Sequence, residues 1–438
     1  MPAQYHISGT TANAIAESIE RGIDGGRFRS DEALPTIRAL AGTLGVSPTT
    51  VSAAFALLRR RGRIVGRRRG GSIVVAKSAL QSGAEHVVAR GTRNLAVANP
   101  DPSFLPPMLA ALTAELVERR LYTDIRDSAA LATVARRAFA ADGIAADHVG
   151  IASGAMDAIE RALVATLSCG DVVALEDPTF PPYVELARAL DLRIVRVAVD
   201  ERGVVPTSLR EAIRAGAKAL VEVPRAQNPT GASFDEARVR ELERALATVP
   251  EFVVIEDDFL ANLCGVPLVS LVRKRKRWLH VRSLGKTLGP DLRVAPFAGD
   301  ALTVARIAAR QRLGCGWVSI VLQDAAAWLL RDATTKKRLR DATRAYAQRR
   351  AGFLEALADV GLAGTPGAGF MVWIPVRDEA AAVGAARAAG FTIDGGARYR
   401  EHAPPGVRIV TTTLGPQEAR ALATALASAG RSAAIIRP

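Results

Sequence analysis

The chain has 438 residues, 49% of them hydrophobic and 23% charged, and a net charge of +14. That length exceeds one ordinary domain, and the composition suits a soluble globular protein with full cores. No apolar run reaches the roughly 18 residues of a membrane span, and Met1 to Thr11 lacks the basic-then-apolar pattern of a signal peptide. Cys169, Cys264 and Cys315 are few and far apart, which fits a reducing cytoplasm and no disulfide framework. The five histidines are scattered singly, without metal-ligand spacing. Residues 1–80 hold 12 Lys and Arg against 5 Asp and Glu, half of the net charge in under a fifth of the chain. A basic end segment suits a polyanion, although an Arg-rich chain throughout would produce the same excess.

Ala12 to Ile23 reads as a helix, with Ile15, Ile19 and Ile23 at i, i+4, i+8 and Gly25-Gly26 as its stop. Pro35 is expected to open a second helix, with Ile37, Leu40, Ala41 and Leu44 on one face and Arg38 on the other. Gly45 permits a tight turn. Ser47 then stands in N-cap position with Pro48 at the first helical residue. Val51, Ala54, Phe55 and Leu58 form the stripe that packs the third helix, leaving Thr49, Thr50 and Ser52 at its exposed start. Ile64-Val65 and Ile73-Val74-Val75 read as two strands around a basic tip, Arg67-Arg68-Arg69. Three helices and a basic hairpin form an α+β winged helix-turn-helix over 1–76. In such a unit short polar side chains at the start of the third helix reach base edges and phosphates, and the Arg-rich tip suits phosphate or the minor groove.

Leu34-Pro35, Arg38, Leu40-Ala41, Leu44-Gly45-Val46-Ser47, Thr50-Val51 and Ala54 resemble the signature of the GntR family of bacterial regulators. The resemblance implies that Arg38, Ser47, Thr49 and Thr50, with Arg67, Arg68 and Arg69, touch a double-stranded DNA operator. Pro48 stands where the family usually has a basic residue, which alters one contact.

Residues 77–94 read as an interdomain linker. From residue 95 onward helical segments alternate with short β-rich runs at Val172 to Leu175, Arg193 to Val199, Ala219 to Val223 and Phe252 to Ile255. Alternation of this kind predicts a mainly parallel α/β sheet, with ligands at the carboxyl ends of its strands. Several polar signals fall at those ends. Val281 to Arg293 places Lys286 in a small-residue turn with Arg293 seven residues on, a pair able to join an aldehyde and clamp its phosphate. Lys286 alone would read as a surface lysine. Its neighbours reverse that. Glu256-Asp257-Asp258 puts carboxylates after a strand, where one could hold a pyridinium nitrogen protonated or all could form a solvated acidic loop. Asn228-Pro229-Thr230-Gly231 is a turn with an amide. Ser153-Gly154-Ala155 opens a helix whose N–H groups suit an anion, and Asp177-Pro178-Thr179-Phe180 offers an aromatic ring to a flat cofactor.

In this order and spacing the segments resemble the fold-type I aminotransferases that depend on pyridoxal 5'-phosphate (PLP). With the GntR-type head they resemble the MocR subfamily of regulators over nearly the whole chain. The resemblance implies an aminotransferase-like domain over 95–438, with a small C-terminal α+β subdomain from about 335. It makes Lys286 the Schiff-base lysine and Asp257 the partner of the pyridine nitrogen. Asn228 bonds the phenolic oxygen and Phe180 stacks on the ring. Ser153, Gly154, Ala155, Ser283 and Arg293 bind the phosphate, Tyr122 reaches the partner subunit's phosphate, and Arg408 takes an effector carboxylate. A head-to-tail homodimer in the cytoplasm is part of the same implication.

Three departures stand out. Phe259 replaces the usual Tyr, Gly285 replaces a Ser, and no glycine follows Tyr122 between Thr123 and Ser128. The missing Tyr hydroxyl implies a more basic lysine–cofactor aldimine, and together the departures tilt the domain from catalyst toward sensor. Three readings stay open: a regulator that senses PLP or an amine or amino acid, a working aminotransferase with a vestigial head, and a regulator whose second domain only dimerises.

Overall fold

The computed structural model describes residues 6–28, 32–60, 63–66, 71–74, 88, 91–114, 121–124 and 127–435. The chain divides into two compact units, one built mainly on the N-terminal head, residues 1–84, and a larger unit holding most of the rest. Among the described residues no single helix is long and apolar enough to cross a membrane.

The head has three helices, α1 (Ala12–Asp24), α2 (Ile37–Leu44) and α3 (Pro48–Arg60), and a two-stranded antiparallel hairpin, β1 (Ile64–Gly66) and β2 (Ser72–Val74). The stripes expected from the sequence are its core. Ile15, Ile19, Ile23, Leu40, Ala41, Val51, Ala54, Phe55 and Leu58 are buried together with Ile64 and Val74. The start of α2 differs from expectation. Pro35 lies outside the helix, and Thr36 is the cap, its extended backbone aiming Oγ1 at the Ala39 amide at 3.2 Å. Gly45 ends α2 at φ 64°, a left-handed conformation that glycine adopts without penalty. The chain then turns by 118° into α3, within the range of a helix-turn-helix. Ile64 pairs with Val74 and Gly66 with Ser72 in the hairpin. Its basic tip, Arg67, Arg68 and Arg69, lies outside the described residues.

The larger unit begins its regular structure inside the expected linker. β3 (Arg93–Asn94) runs parallel to β13 (Phe391–Thr392), so the last two residues of that span belong to this unit. The main sheet is built from β4 (Val149–Ala152), β5 (Val172–Asp177), β6 (Arg193–Asp200), β7 (Gly203–Val204), β8 (Ala217–Glu222), β9 (Val253–Asp258), β10 (Trp278–Arg282) and β11 (Ala295–Gly299). Their order is β4-β11-β10-β9-β8-β5-β6-β7. β5, β8, β9 and β10 run parallel in sequence-separated register, and β11 lies antiparallel between β10 and β4. These strands are buried almost throughout, as strands covered on both faces are, and their buried charged residues gather at the carboxyl ends, at Asp177, Glu222, Asp257, Asp258 and Arg282. Alternate residues such as Ala174, Leu220, Val254 and Trp278 pack with Phe139, Leu209 and Leu242 from flanking helices.

A second sheet has the order β12 (Met371–Pro375), β15 (Gly406–Val410) and β14 (Asp394–Gly395), all antiparallel. Phe353 and Leu357 of the helix Ala333–Asp359 and Leu422 of the helix Pro416–Ile435 cover it, joined by Val372, Ile374, Val407 and Ile409.

Candidate functional site

In the head the candidate site is the start of α3. The stripe Val51, Ala54, Phe55 and Leu58 faces the core, so the opposite side of the first turn faces outward. Ser47 caps the helix, its Oγ accepting from the Thr50 amide at 3.1 Å. The same oxygen lies 2.7 Å from Thr49 Oγ1 and 2.8 Å from Thr50 Oγ1, so three hydroxyls form one exposed cluster. Arg38 is exposed on α2. Hydroxyl groups that both donate and accept, together with helix N–H groups and a guanidinium exposed on the preceding helix, are suited to phosphates and base edges.

In the larger unit the expected pocket residues gather at the carboxyl edge of the main sheet. Lys286 follows β10. Its side chain is almost buried and donates from Nζ to the Ala98 carbonyl. Burial, with a further push from the Arg408 charge, lowers its amine to about 8. Asp257 lies at the end of β9 and is buried, as are its neighbours Glu256 and Asp258, so the acidic run is strand interior and not a solvated loop. Tyr183 donates its hydroxyl to Asp257 Oδ2 at 2.6 Å, while Oδ1 has no partner among the described residues. Burial raises the Asp257 carboxyl to about 6, against the lowering effect of the Tyr183 bond. Asp258 points the other way. Although burial opposes it, Arg225 at 2.7 Å and Arg282 at 3.1 Å hold this carboxyl well below the usual range. That ion group anchors the end of β9 from beneath.

The residues expected to bind phosphate meet at the neighbouring strand ends. Ser153 follows β4, Ser283 follows β10, and Arg293 precedes the antiparallel β11, which places all three at one edge. Arg293, at φ 49°, donates to the Ser153 carbonyl at 3.1 Å. Gly154 stands at φ 99°, which L side chains rarely adopt, so glycine is favoured where the helix Ala155–Thr166 begins, and a Cβ there would also displace the Arg293 guanidinium, which it would meet at 2.4 Å. One expected donor is already engaged: the Ser153 amide donates to Asp157 Oδ2 at 2.8 Å, whereas Ser283 Oγ only accepts, from the Gly285 amide at 3.3 Å, and keeps its hydroxyl hydrogen for an anion.

Asn228 is buried, and its Oδ1 accepts from Arg408 Nη1 at 3.0 Å, which leaves the amide nitrogen as the group's donor. Phe180 stands edge-on to Tyr183, ring centroids 5.5 Å apart. Tyr122 is 88% exposed, with Trp317 against one edge, so within one chain it touches none of the pocket. Arg408 is brought to Lys286, but its guanidinium is already paired with Asp394 at 2.9 Å. Tyr183, Asp394 and the carbonyls of Ala96 and Ala98 carried no sequence signal. A lone Tyr or Asp far along the chain is visible only after the sheet folds.

An unpartnered carboxylate oxygen, a buried amine brought toward neutrality and a glycine-and-arginine cradle fit a flat phosphorylated heterocycle with an aldehyde. Lys286, Asp257, Asn228, Phe180 and Arg293 are the residues that would hold it.

Comparison with known proteins agrees with this division. The family model for aminotransferase class I and II matches residues 94–426, and that for bacterial regulatory proteins of the gntR family matches residues 11–75. The vitamin B6 salvage pathway transcriptional repressor PtsJ of Salmonella typhimurium is 36% identical over 423 residues, covering 95% of this chain and 98% of the relative. The HTH-type transcriptional regulator TauR of Rhodobacter capsulatus is 26% identical over 343 residues, 69% of this chain and 70% of the relative. A Pyrococcus horikoshii kynurenine aminotransferase, solved with PMP, superposes with a TM-score of 0.71 at 20% identity, covering 80% of this chain and 92% of its own. The alpha-aminoadipate aminotransferase LysN of Thermus thermophilus, complexed with N-(5'-phosphopyridoxyl)-L-leucine, gives 0.69 at 21% identity over 79% and 94%. Those two likenesses show the fold. The chain belongs to the class I and II aminotransferase family through its larger unit and, with its gntR-family DNA-binding head, to the MocR-like HTH-type transcription regulators.

Proposed function

We propose that this regulator holds PLP in its larger unit and uses it to sense a small amine-bearing ligand, or PLP itself, and that occupancy shifts the affinity of the head for its operator. The observation that carries the reading is the pairing of Lys286 and Asp257 at the ends of adjacent strands β10 and β9, one a buried amine lowered to about 8, the other a buried carboxylate with a free oxygen.

Bound PLP supplies an aldehyde for reversible covalent capture of amines. The protein's own groups do the rest. At pH 7 about a tenth of Lys286 is the neutral amine, against a few parts in ten thousand for an ordinary lysine. That makes it the nucleophile. Asp257 offers Oδ1 to a protonated ring nitrogen, and the Tyr183 hydroxyl fixes the carboxylate's orientation through Oδ2. Asn228, held by Arg408, would present its amide nitrogen to the phenolic oxygen, and Phe180 would lie against the ring. Arg293 and the helix start at Gly154 take the phosphate, with Ser283 beside them. Tyr122 has a role only if a second subunit covers it. Leu109, Leu121, Tyr122 and Leu313 are all more than two-thirds exposed, apolar side chains that a second subunit would cover in a homodimer. In the head, Arg38, Ser47, Thr49 and Thr50 read the operator, with Arg67, Arg68 and Arg69 of the wing tip on its backbone. A cytoplasmic location goes with that DNA partner.

The test is the visible spectrum of the full-length protein after PLP is added. Wild type develops an absorption band that Lys286→Ala lacks. No band in wild type, or an identical band in Lys286→Ala, overturns the reading.

A further inference from the structure

We infer that Asp394 is a specificity-determining residue that closes the carboxylate subsite at Arg408, so that the pocket takes amines lacking an α-carboxylate in preference to amino acids. The inference rests on the capture of amines proposed above and adds the class of ligand.

Arg408 is 2% exposed and is surrounded by protein groups. Its Nη1 donates to Asn228 Oδ1 at 3.0 Å. Its Nη2 donates to Asp394 Oδ2 at 2.9 Å and to the Ala96 carbonyl. The Tyr399 ring covers it, with Cζ 4.8 Å from the centroid. Nε alone lacks a partner among the described residues. Asp394 is not a passing loop residue. It sits opposite Arg408 in the β14–β15 register, so backbone pairing sets the two side chains side by side. The Tyr399 hydroxyl donates to the same carboxylate oxygen, and Arg398 approaches the other oxygen at 3.8 Å. Three groups from two segments therefore hold the aspartate in place.

An incoming carboxylate meets a guanidinium whose charge is already matched. To bind there it must expel Asp394 from its partners, or enter beside it and set two buried anions against Arg408, with only the part-exposed Arg398, 3.8 Å from Asp394, to offset the second. Either course is unfavourable in a desolvated site. A ligand with hydrogen or carbon in place of the carboxylate meets no such barrier. Discrimination by a built-in like charge is an ordinary way to reject a near-identical ligand.

The experiment uses full-length protein loaded with PLP and titrated, at one pH, with L-alanine and with ethylamine, its decarboxylated counterpart, reading the visible band. Concentrations are expressed as free amine. In wild type ethylamine is expected to act at a concentration about tenfold lower than L-alanine or lower still. Asp394→Asn keeps the shape and the Tyr399 contact but removes the charge, and is expected to tighten L-alanine about tenfold while moving ethylamine less than about twofold. Wild type that takes L-alanine as readily as ethylamine overturns the inference, as does Asp394→Asn with unchanged preference. A second arm needs no PLP. Maleate is expected to raise the melting temperature of Asp394→Asn but not of wild type, and a rise in wild type overturns the inference. If PLP develops no band at all, the capture reading fails, and the maleate arm still decides on Asp394. Should Asp394→Asn not fold, the two wild-type comparisons decide.

Discussion

The head and the larger unit place their working groups on opposite sides of their own packing. In the head, Arg38, Ser47 and Thr49 are exposed while Leu40, Val51 and Phe55 of the same two helices are buried. Contact with a partner and contact with the core are thus divided between faces. In the larger unit, Asp257, Asn228 and Arg408 are themselves buried and Lys286 nearly so, each held by groups distant in sequence. The same side chains carry both packing and chemistry. Arg38 or Thr49 can therefore be altered in the head with little loss of stability, although Ser47 also caps α3, whereas most changes in the pocket unsettle the fold as well.

The largest expected effect lies beneath the pocket. Arg225→Met removes one of the two guanidinium partners of fully buried Asp258. With Arg282 remaining, a loss of about 3 kcal/mol of stability is expected, since a buried ion pair is far costlier to break than to replace whole. Denaturant unfolding followed by tryptophan fluorescence measures it. A loss below about 1 kcal/mol would show that the ion group does not anchor β9.

Arg38→Ala tests the other half of the contrast. Operator affinity is expected to fall by about 1–3 kcal/mol if Arg38 reads a base. If it touches only phosphate, the loss is uniform across sequences and the salt slope drops by about one. In either case stability stays within about 0.5 kcal/mol of wild type, because the side chain is exposed. A melting temperature that falls along with affinity would erase the distinction between the two units.

Stripes and strands were legible because they are local. The spacing of Ile15, Ile19 and Ile23, or the apolar run into Asp257, is written within a dozen residues. Lys286, Asp257, Asn228 and Arg293 were legible through the resemblance of their short surrounding motifs. Two features were not. Pro35 looked like a first helical residue, but the Thr36 hydroxyl captured the cap instead. The partners of the pocket were hidden as well: Tyr183 meets Asp257 across 74 positions and Asn228 meets Arg408 across 180. Asp394 is close in sequence to Arg408, yet only the strand register makes them neighbours. Polar pairs of this kind have no periodicity, so nothing in the string announces them.

A smaller effect follows from burial of Lys286. Its folded value is lowered to about 8, so the unfolded chain binds the extra proton between about 8 and its ordinary value near 10.5. Stability from this group is thus lowest below about 8 and rises as pH climbs through that window. The neutral amine is the reacting form. The rate at which added PLP develops its band is therefore expected to rise with pH and level off above about 8. A rate still climbing past about 10 would mean that Lys286 behaves as an exposed lysine.

The smallest effect concerns Phe259, half-buried two residues beyond Asp257. By family resemblance a tyrosine hydroxyl belongs there, donating to the cofactor's phenolic oxygen. A donor to that oxygen stabilises its anionic form and weakens its hold on a shared proton. Wild type, lacking the donor, should keep the lysine–cofactor linkage protonated to higher pH than Phe259→Tyr does, by about one unit. Titration of the visible band in both proteins measures the difference. An apparent pKa in wild type no higher than in Phe259→Tyr would show that another group, with the Asn228 amide the nearest candidate, already supplies the missing hydrogen bond.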